Sequence, residues 1–566
     1  MVYVGDDDAS AGNTHMKAIN NNADNIIRKE LGFDVHKVLL DAYERVSTST
    51  GFRYPTAKAE IIKYLNEGTL VFNYGGHASP MQLADEYILD PTDMKALSGS
   101  NYSLMYTAAC ETMPYDQTIE SLGTAAVLNA NGGAIAFLGT LRTVYASFNE
   151  SLDFVFMDYL TSSDDKGTPI TIGEALRLAK NNMVSTGRDR TLNKHQYHIF
   201  GDPALRLAIP RYKTVVDKVN DFSVSEDVVE LKANEVVSVS GHVESFDGKK
   251  LSEYAGQAVL LVKDATESIT TRNNDGVSQI TYNDRLNTIY KGTTKVSNGE
   301  FSFKFRVNSD IVDNGNNGLI NVFVTNSTES STAFGECNNI LFTGAEGALN
   351  DGEGPEMTVY LNTPSFITGG TVGKTPYLYA VLHDKDGLDV MGNTVGHNLE
   401  LVVDGNTNST YNLNDYFLFD DGSYTDGSVS YVIPELSSGS HSLRFRAWDL
   451  LGNVSTKTVN FNVDGSLEPT ISDVFVSPNP VKGLGTFYIY HDFRGSNAEI
   501  TIDIIDTTGR IVQTNIWNQA LSSVEGRTGL SWNSATVPNG LYLYRIRVSC
   551  DGINYSSKTK KLIVAQ

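Results

Sequence analysis

The chain has 566 residues, 40% of them apolar and 10% aromatic, enough for about three to five domains with cores of their own. Its 67 acidic against 44 basic residues give a formal charge of −23, which repels phosphate backbones and argues against nucleic acid as a partner. Three cysteines far apart in sequence exclude a disulfide framework, and no run of about 18 apolar residues is present to cross a membrane as a helix.

The start, MVYVGDDDAS, has neither a basic nor an apolar leader segment and reads as a strand from inside a domain. The natural N-terminus, with any export signal, is therefore expected upstream. Over residues 1–210 strands and helices alternate. MVYVG, FDVHKVLLD, TLVFNYGG, YSLMYTAAC and GGAIAFLGT read as strands. Between and after them THMKAINNNADNIIRKEL, TAKAEIIKYLNEG, PTDMKALS, TIESLGTAAVLNA, ESLDFVFMDYLTS and TIGEALRLAKNNMVS read as helices. Apolar strands without alternation, interleaved with amphipathic helices, predict an open, mainly parallel sheet covered on both faces. In such a sheet, functional groups gather at the carboxyl ends of the strands.

From about residue 212 the helical period disappears. Alternating runs such as EVVSVSGHVES and EFSFKFRVN predict an all-β segment over 211–345. The acidic, glycine-rich stretch 344–356 reads as a linker. A second all-β unit is expected over 356–465, and after a boundary near SLEPTISD a third over 470–566. Each has the length and turn spacing of an immunoglobulin-like sandwich. No cofactor is required by any motif. Structural calcium is the one ion the acidic turns, such as those of 406–428, could hold, against the plainer reading of solvated loops.

Two of the apolar runs, LVFNYGGHAS and YSLMYTAACE, end on His77 and Cys110. An imidazole beside a thiol either removes its proton or holds the thiolate as an ion pair, the requirement for a cysteine nucleophile. Gly75 and Gly76 remove Cβ atoms and would let a substrate main chain approach the histidine. The alternative is a buried cysteine and an unrelated surface histidine. Asp8, in the Asp6–Asp7–Asp8 run that ends the first strand, and Glu86, nine residues after His77, are candidates for an acid that orients the imidazole. Turn or cap use is the alternative for both. His15 reads as a capping or surface residue. His195 and His198 have a spacing that would suit a metal on a helix, but no partner at zinc-site spacing accompanies them. The GTLRTVYAS stretch (139–147) follows a core strand and is a candidate wall of the cleft, with Leu141 and Arg142 open to either a cleft or a packing role.

NYGGHAS and YTAACE, with NANGGAIAFLGTLRTVYASFN and the closing QYHIFGDPALRLAIP, resemble the gingipain-type cysteine peptidases over essentially all of 1–210. The resemblance implies a caspase-like α/β peptidase domain with Cys110 as nucleophile and His77 as its base or ion-pair partner. It also implies an oxyanion hole from the main-chain N–H groups of Cys110 and Ala78. The family usually has GHG where this chain has GHA, which keeps the N–H but forbids glycine-only backbone angles. The downstream segments, among them KVSNGEFSFKFRVNSDI and PELSSGSHSLRFRAWDLLGNVSTKTVNFNVDG, resemble the β-domains of the type IX secretion sortases within that family. VSPNPVKG and NGLYLYRIRV resemble the type IX C-terminal signal domain.

This resemblance implies a surface enzyme on the extracellular face of a bacterial outer membrane. Its partners would be the C-terminal domains of type IX cargo and an outer-membrane barrel protein of the PorV type. It would remove cargo signal domains through a thioester acyl-enzyme, with anionic lipopolysaccharide as an acceptor in place of water. Two other readings stand beside it: a secreted gingipain-like protease that is itself type IX cargo, and an inactive surface scaffold.

Overall fold

The computed structural model describes residues 1–566 except 9–11, 100, 165, 226, 275, 277, 327–330, 346, 348–349, 363–365, 393–395, 407–408, 468–470, 492–496, 522–526, 551–552 and 566. Parts of the expected linker 344–356, of the acidic stretch 406–428 and of the boundary near 466–473 thus lie outside the described residues. No helix among the described residues is long and apolar enough to cross a membrane.

The first segment is built on strands β1 (Val2–Gly5), β2 (His36–Leu39), β3 (Val71–Gly75), β4 (Ser103–Ala108), β5 (Ala134–Thr140) and β6 (Tyr197–Phe200). They form one six-stranded sheet in the order β6-β5-β4-β3-β1-β2. All pairs are parallel except β6, which runs antiparallel to β5. The helices are α1 (Thr14–Ile27), α2 (Pro55–Glu67), α3 (Pro91–Ala96), α4 (Leu122–Val127), α5 (Ala146–Leu160) and α6 (Ile172–Ser185). Strand residues alternate between two cores. Tyr3, Val71, Leu104, Tyr106 and Leu138 face α1, α5 and α6. Val2, Val4, Phe72, Tyr74, Met105 and Phe137 face α2, α3 and α4. Burial on both faces is why these strands show no polar alternation.

Three local outcomes differ from the sequence reading. The helix expected over TIESLGTAAVLNA forms only at Leu122–Val127, because the Ser121 side chain accepts the Thr124 N–H and starts the helix there. QYHIF adds the strand β6, too short to show a period and held by its register with β5. His195 and His198 share no helix: the first lies in the 3₁₀ turn Asn193–Gln196 and the second on β6.

Contacts divide the chain into two compact units. One comprises residues 1–232, 237–303 and 311–344, so the sheet just described and most of the first β-segment are knit together. That β-segment holds an eight-stranded sheet and a hairpin of Glu267–Thr270 with Thr281–Asp284. Ile280, Tyr282 and Phe334 enter the same core as Tyr3 and Met16. The buried Lys37 ammonium reaches Asp24 (2.5 Å), Asn20 (2.9 Å) and the Asn283 carbonyl (2.8 Å). Asp41 accepts the N–H groups of Asn273 and Asn274 at 2.9 and 2.7 Å.

The other unit comprises 233–236, 304–310 and 345–566. Within it a four-stranded and a six-stranded sheet share one core, Leu378 and Val429 from the first meeting Leu401, Phe445 and Phe461 from the second. Residues from Ile471 to Val564 form a further eight-stranded sheet around Phe487, Ile502, Trp532 and Tyr544. Cys110, Cys337 and Cys550 form no disulfide with one another.

Candidate active site

Strand order reverses between β1 and β3, and the ends of β1, β3 and β4 form the crevice at this switch point. Gly75 of β3 is in register with Gly5 of β1 on one side and with Ala108 of β4 on the other. His77 and Cys110 therefore each lie two residues beyond a register pair, on strand ends about 4.8 Å apart. The Gly76 N–H donates to the Ala108 carbonyl at 3.4 Å, keeping the chains together past the last pair.

The glycines do not serve an approaching substrate, as the sequence reading supposed; they serve packing. A Cβ on Gly5 would stand 2.9 Å from the Met16 Cα, and one on Gly75 would stand 2.8 Å from the Ile19 side chain. One on Gly76 would collide with the Asp6 Cβ and the Tyr74 hydroxyl. Two of these bare positions let α1 lie directly on the strand ends, which brings His15 into the crevice. His15 is buried, not the capping or surface residue expected. Its ring meets that of His77 edge-on, centroids 5.2 Å apart, and its Nε2 is 3.9 Å from Asp8 Oδ2. Burial, then the neighbouring His77, lowers the His15 pKa below its ordinary value, with Asp8 opposing.

Of the two acids considered for His77, Asp8 meets the ring: its Oδ2 is 3.1 Å from His77 Nε2. Asp8 is 8% exposed and the His77 side chain 54%. Glu86 instead groups with Asp6 and Asp7. The His77 main chain is clamped from behind. Its N–H donates to Asp6 Oδ2 at 2.7 Å, and its carbonyl accepts from the Tyr74 hydroxyl at 2.6 Å. That hydroxyl also accepts the Ala84 N–H at 2.9 Å. Ala78 opens the short hairpin Ala78–Ser79 with Gln82–Leu83. Its backbone is in the strand conformation, which any L-residue adopts, so alanine stands where the family has glycine without strain.

Cys110 is half-buried at the end of β4. Its Sγ accepts the Val144 N–H at 3.4 Å and donates to the Val144 carbonyl at 3.5 Å. The loop after β5 thus braces the sulfur, which gives the 139–147 stretch its place in the crevice. That loop is itself held, since the Tyr145 N–H donates to Asn193 Oδ1 at 2.7 Å. Arg142 does not face the thiol as a free cation: it forms a two-pronged pair with Asp116 at 3.0 and 2.5 Å on the exposed side. Glu111, the residue after the cysteine, has φ +52°, a left-handed conformation that turns the chain sharply away from the sulfur.

The sequence reading named His15 only as a cap or surface residue, Asp6 only within an acidic run and Val144 only within a candidate cleft wall, and it gave Tyr74 no role. None carries a local signal, because each reaches the crevice through the packing of a different element. Among the described residues, two groups of side chains here have the spacing to hold an ion, each with one ligand atom per residue and all within 4.8 Å: Asp8, His15 and His77, and Asp6, Asp7 and Glu86. A third, Asp351, Asp386 and Asp449, lies in the other unit.

The thiol of Cys110 and the imidazole of His77 thus lie on neighbouring strand ends, with the buried Asp8 carboxylate at the imidazole, the residue types that a cysteine nucleophile requires. Residues 1–208 match peptidase family C25. Residues 475–565 match the secretion system C-terminal sorting domain, which marks a secreted or cell-surface protein. Among solved structures, the dimeric latent PorU of Porphyromonas gingivalis is 29% identical, covering 77% of this chain and 41% of its own, with a TM-score of 0.36. The Arg-specific cysteine proteinase gingipain R is 15% identical, covering 60% and 66%, with a TM-score of 0.31. The complex of RgpB pro- and mature domains from Porphyromonas gingivalis is 16% identical, covering 60% and 67%, with a TM-score of 0.31. The chain thus spans less than half the length of the PorU chain it matches. No curated protein matches it.

Proposed function

We propose that residues 1–208 cleave peptide bonds with Cys110 as nucleophile, His77 as base and Asp8 as the acid that orients it. The observation that carries this reading is the equivalent placement of His77 and Cys110 on adjoining strand ends, with Asp8 at 3.1 Å from Nε2. Asp8 at Nε2 favours the tautomer with its proton there and leaves Nδ1 to take the thiol proton. The thiolate then attacks the scissile carbonyl carbon, and the main-chain N–H groups of Cys110 and Ala78 are the donors proposed for the developing oxyanion. When the tetrahedral adduct collapses, the C–N bond breaks and His77 returns the proton to the leaving amine. A thioester remains, and water or an amine resolves it.

We further infer that the substrate is the C-terminal sorting domain of other exported proteins, cut off by a sortase at the outer-membrane surface. A PorV-like barrel would be its partner there, and lipopolysaccharide an amine acceptor. The long β-segment between the peptidase and sorting segments supports this, on domain limits near 210, 345 and 465. The chain's own sorting domain at 475–565 favours a second reading, a secreted peptidase that is itself cargo. Calcium, if bound, is structural in both.

Mass spectrometry of a cargo protein bearing a sorting domain separates them. Wild type, Cys110→Ala and His77→Ala are incubated with it, with and without an added amine. A cut just before the sorting domain, lost in both variants, is expected for the sortase, with an amine adduct on the new terminus if transfer occurs. Intact cargo alongside cleavage of general peptides supports the secreted protease. Absence of any Cys110-dependent cleavage would leave a scaffold.

A further inference from the structure

Behind His77, on the side away from Cys110, lies a group of carboxylates that the proposed chemistry does not use. Asp6 follows β1 and is 1% exposed. Its Oδ2 takes the His77 N–H, but its Oδ1 is buried with no hydrogen-bond partner. Asp7 follows it, with Oδ2 accepting the Tyr54 hydroxyl at 2.5 Å. The third member arrives from the tight turn 84–87, in which the Tyr87 N–H donates to the Ala84 carbonyl and both residues have φ +57°. Pairing of Leu83 with Leu89 closes that turn and presents Glu86 to the two aspartates.

One oxygen from each of Asp6, Asp7 and Glu86 lies within 4.8 Å of the others. Carboxylates so close repel one another, and burial of Asp6 adds to the cost of its charge. Arg53 lies over the Tyr87 ring of that turn and donates to the Phe52 carbonyl and to Thr50.

We propose that Asp6, Asp7 and Glu86 bind a hard divalent cation, and that the ion is calcium. The donor set is all oxygen, with no nitrogen or sulfur to favour zinc. Calcium accepts irregular oxygen shells at about 2.3–2.6 Å, whereas magnesium demands a near-ideal octahedron at about 2.1 Å and gives up its waters reluctantly, which suits a dedicated carboxylate site less well. Three carboxylates supply the charge, and water completes the six to eight ligands calcium takes. With Oδ1 on the ion and Oδ2 on the His77 N–H, Asp6 couples the cation directly to the backbone of the catalytic histidine. The turn 84–87 is held by the same ion, so the segment 77–89 is tied down at both ends.

The probe is terbium, which takes calcium's place and luminesces when a nearby tyrosine is excited; Tyr54, bonded to Asp7, is the sensitiser. Full-length protein is titrated with terbium alone and then with calcium or magnesium as competitor, in wild type, Glu86→Gln, Asp7→Asn and, for the distant cluster, Asp351→Asn. Saturable emission displaced by calcium is expected, with affinity about tenfold or more weaker in Glu86→Gln and Asp7→Asn and unchanged in Asp351→Asn. Calcium should also slow amide exchange across 77–89 in wild type but not in Glu86→Gln. Emission that does not saturate, persists in Glu86→Gln, is lost only in Asp351→Asn, or is displaced by magnesium and not calcium overturns the site. None of these readouts uses turnover, so failure here leaves the peptidase reading intact, and failure of that reading leaves the cation site testable.

Discussion

Asp8 and Asp153 are both buried acids at the crevice, and their surroundings set them to different tasks. Asp8 meets His77 Nε2 at 3.1 Å, while burial and the neighbouring His77 push His15 toward its neutral form, leaving the carboxylate to the His77 ring. Asp8→Asn should keep the shape but lose the bias toward the Nε2–H tautomer. The expected loss is about 10²-fold in kcat with KM little changed, checked by steady-state kinetics on any peptide the wild type cleaves. Asp153, under the strand ends on α5, takes one hydrogen bond from Asn73 at 2.8 Å. Burial raises its pKa from 3.8 to about 7, against that hydrogen bond. An acid whose folded pKa is raised adds stability that is fully present below the unfolded value and is lost as pH rises through the folded one. Wild-type stability should therefore fall between about pH 4 and 7, and Asp153→Asn should remove roughly 4 kcal/mol of that fall. Urea midpoints measured across this range, variant against wild type, test the sign.

The hairpin after β3 is the element on which the site depends. Tyr74, fully buried, holds both of its ends: its hydroxyl donates to the His77 carbonyl and accepts from the Ala84 N–H. Tyr74→Phe removes the hydroxyl from both groups, which still pair with each other through the Ala84 N–H and the His77 carbonyl at 3.0 Å, so the cost is about 0.5–1.5 kcal/mol. Because the loss falls on the segment that carries His77, activity should drop at temperatures well below unfolding. Thermal melts alongside activity at 25 °C distinguish this from a general loss of fold. The Val144 loop does the same for the thiol, with its own support from Asn193.

At the scale of the whole molecule, the sheet of residues 2–200 leans on the β-segment that follows it. Removing residues beyond 210 would expose the core faces covered by Ile280, Tyr282 and Phe334, about 2 kcal/mol for each side chain. It would also strip the Asn283 carbonyl from the buried Lys37 ammonium and two N–H donors from Asp41. Residues 1–344 should therefore melt in a single transition, whereas 1–210 alone should be insoluble or lack a cooperative melt. Calorimetry of the two fragments decides it; two separate transitions in 1–344, one matching a stable 1–210, would show independent folding.

By itself the sequence determined the strands and most helices of the first segment, because fully apolar runs and helical periods are local properties of the chain. It also placed His77 and Cys110 at strand ends, since both follow directly on such runs. It marked Asp8 only as one candidate among several, and it misread Gly75 and Gly76 as openings for a substrate and His15 as a surface residue. Those assignments required the tertiary structure: α1 can lie on the strand ends only where Gly5 and Gly75 have no side chain, and only then do His15, Asp8 and His77 converge. The four-residue β6 and the bracing of Cys110 by Val144 were likewise invisible, because register with β5 and the return of a loop arise from pairings between distant residues. Which carboxylate meets the His77 ring, and which ones gather behind it around Asp6, is decided by the same long-range packing.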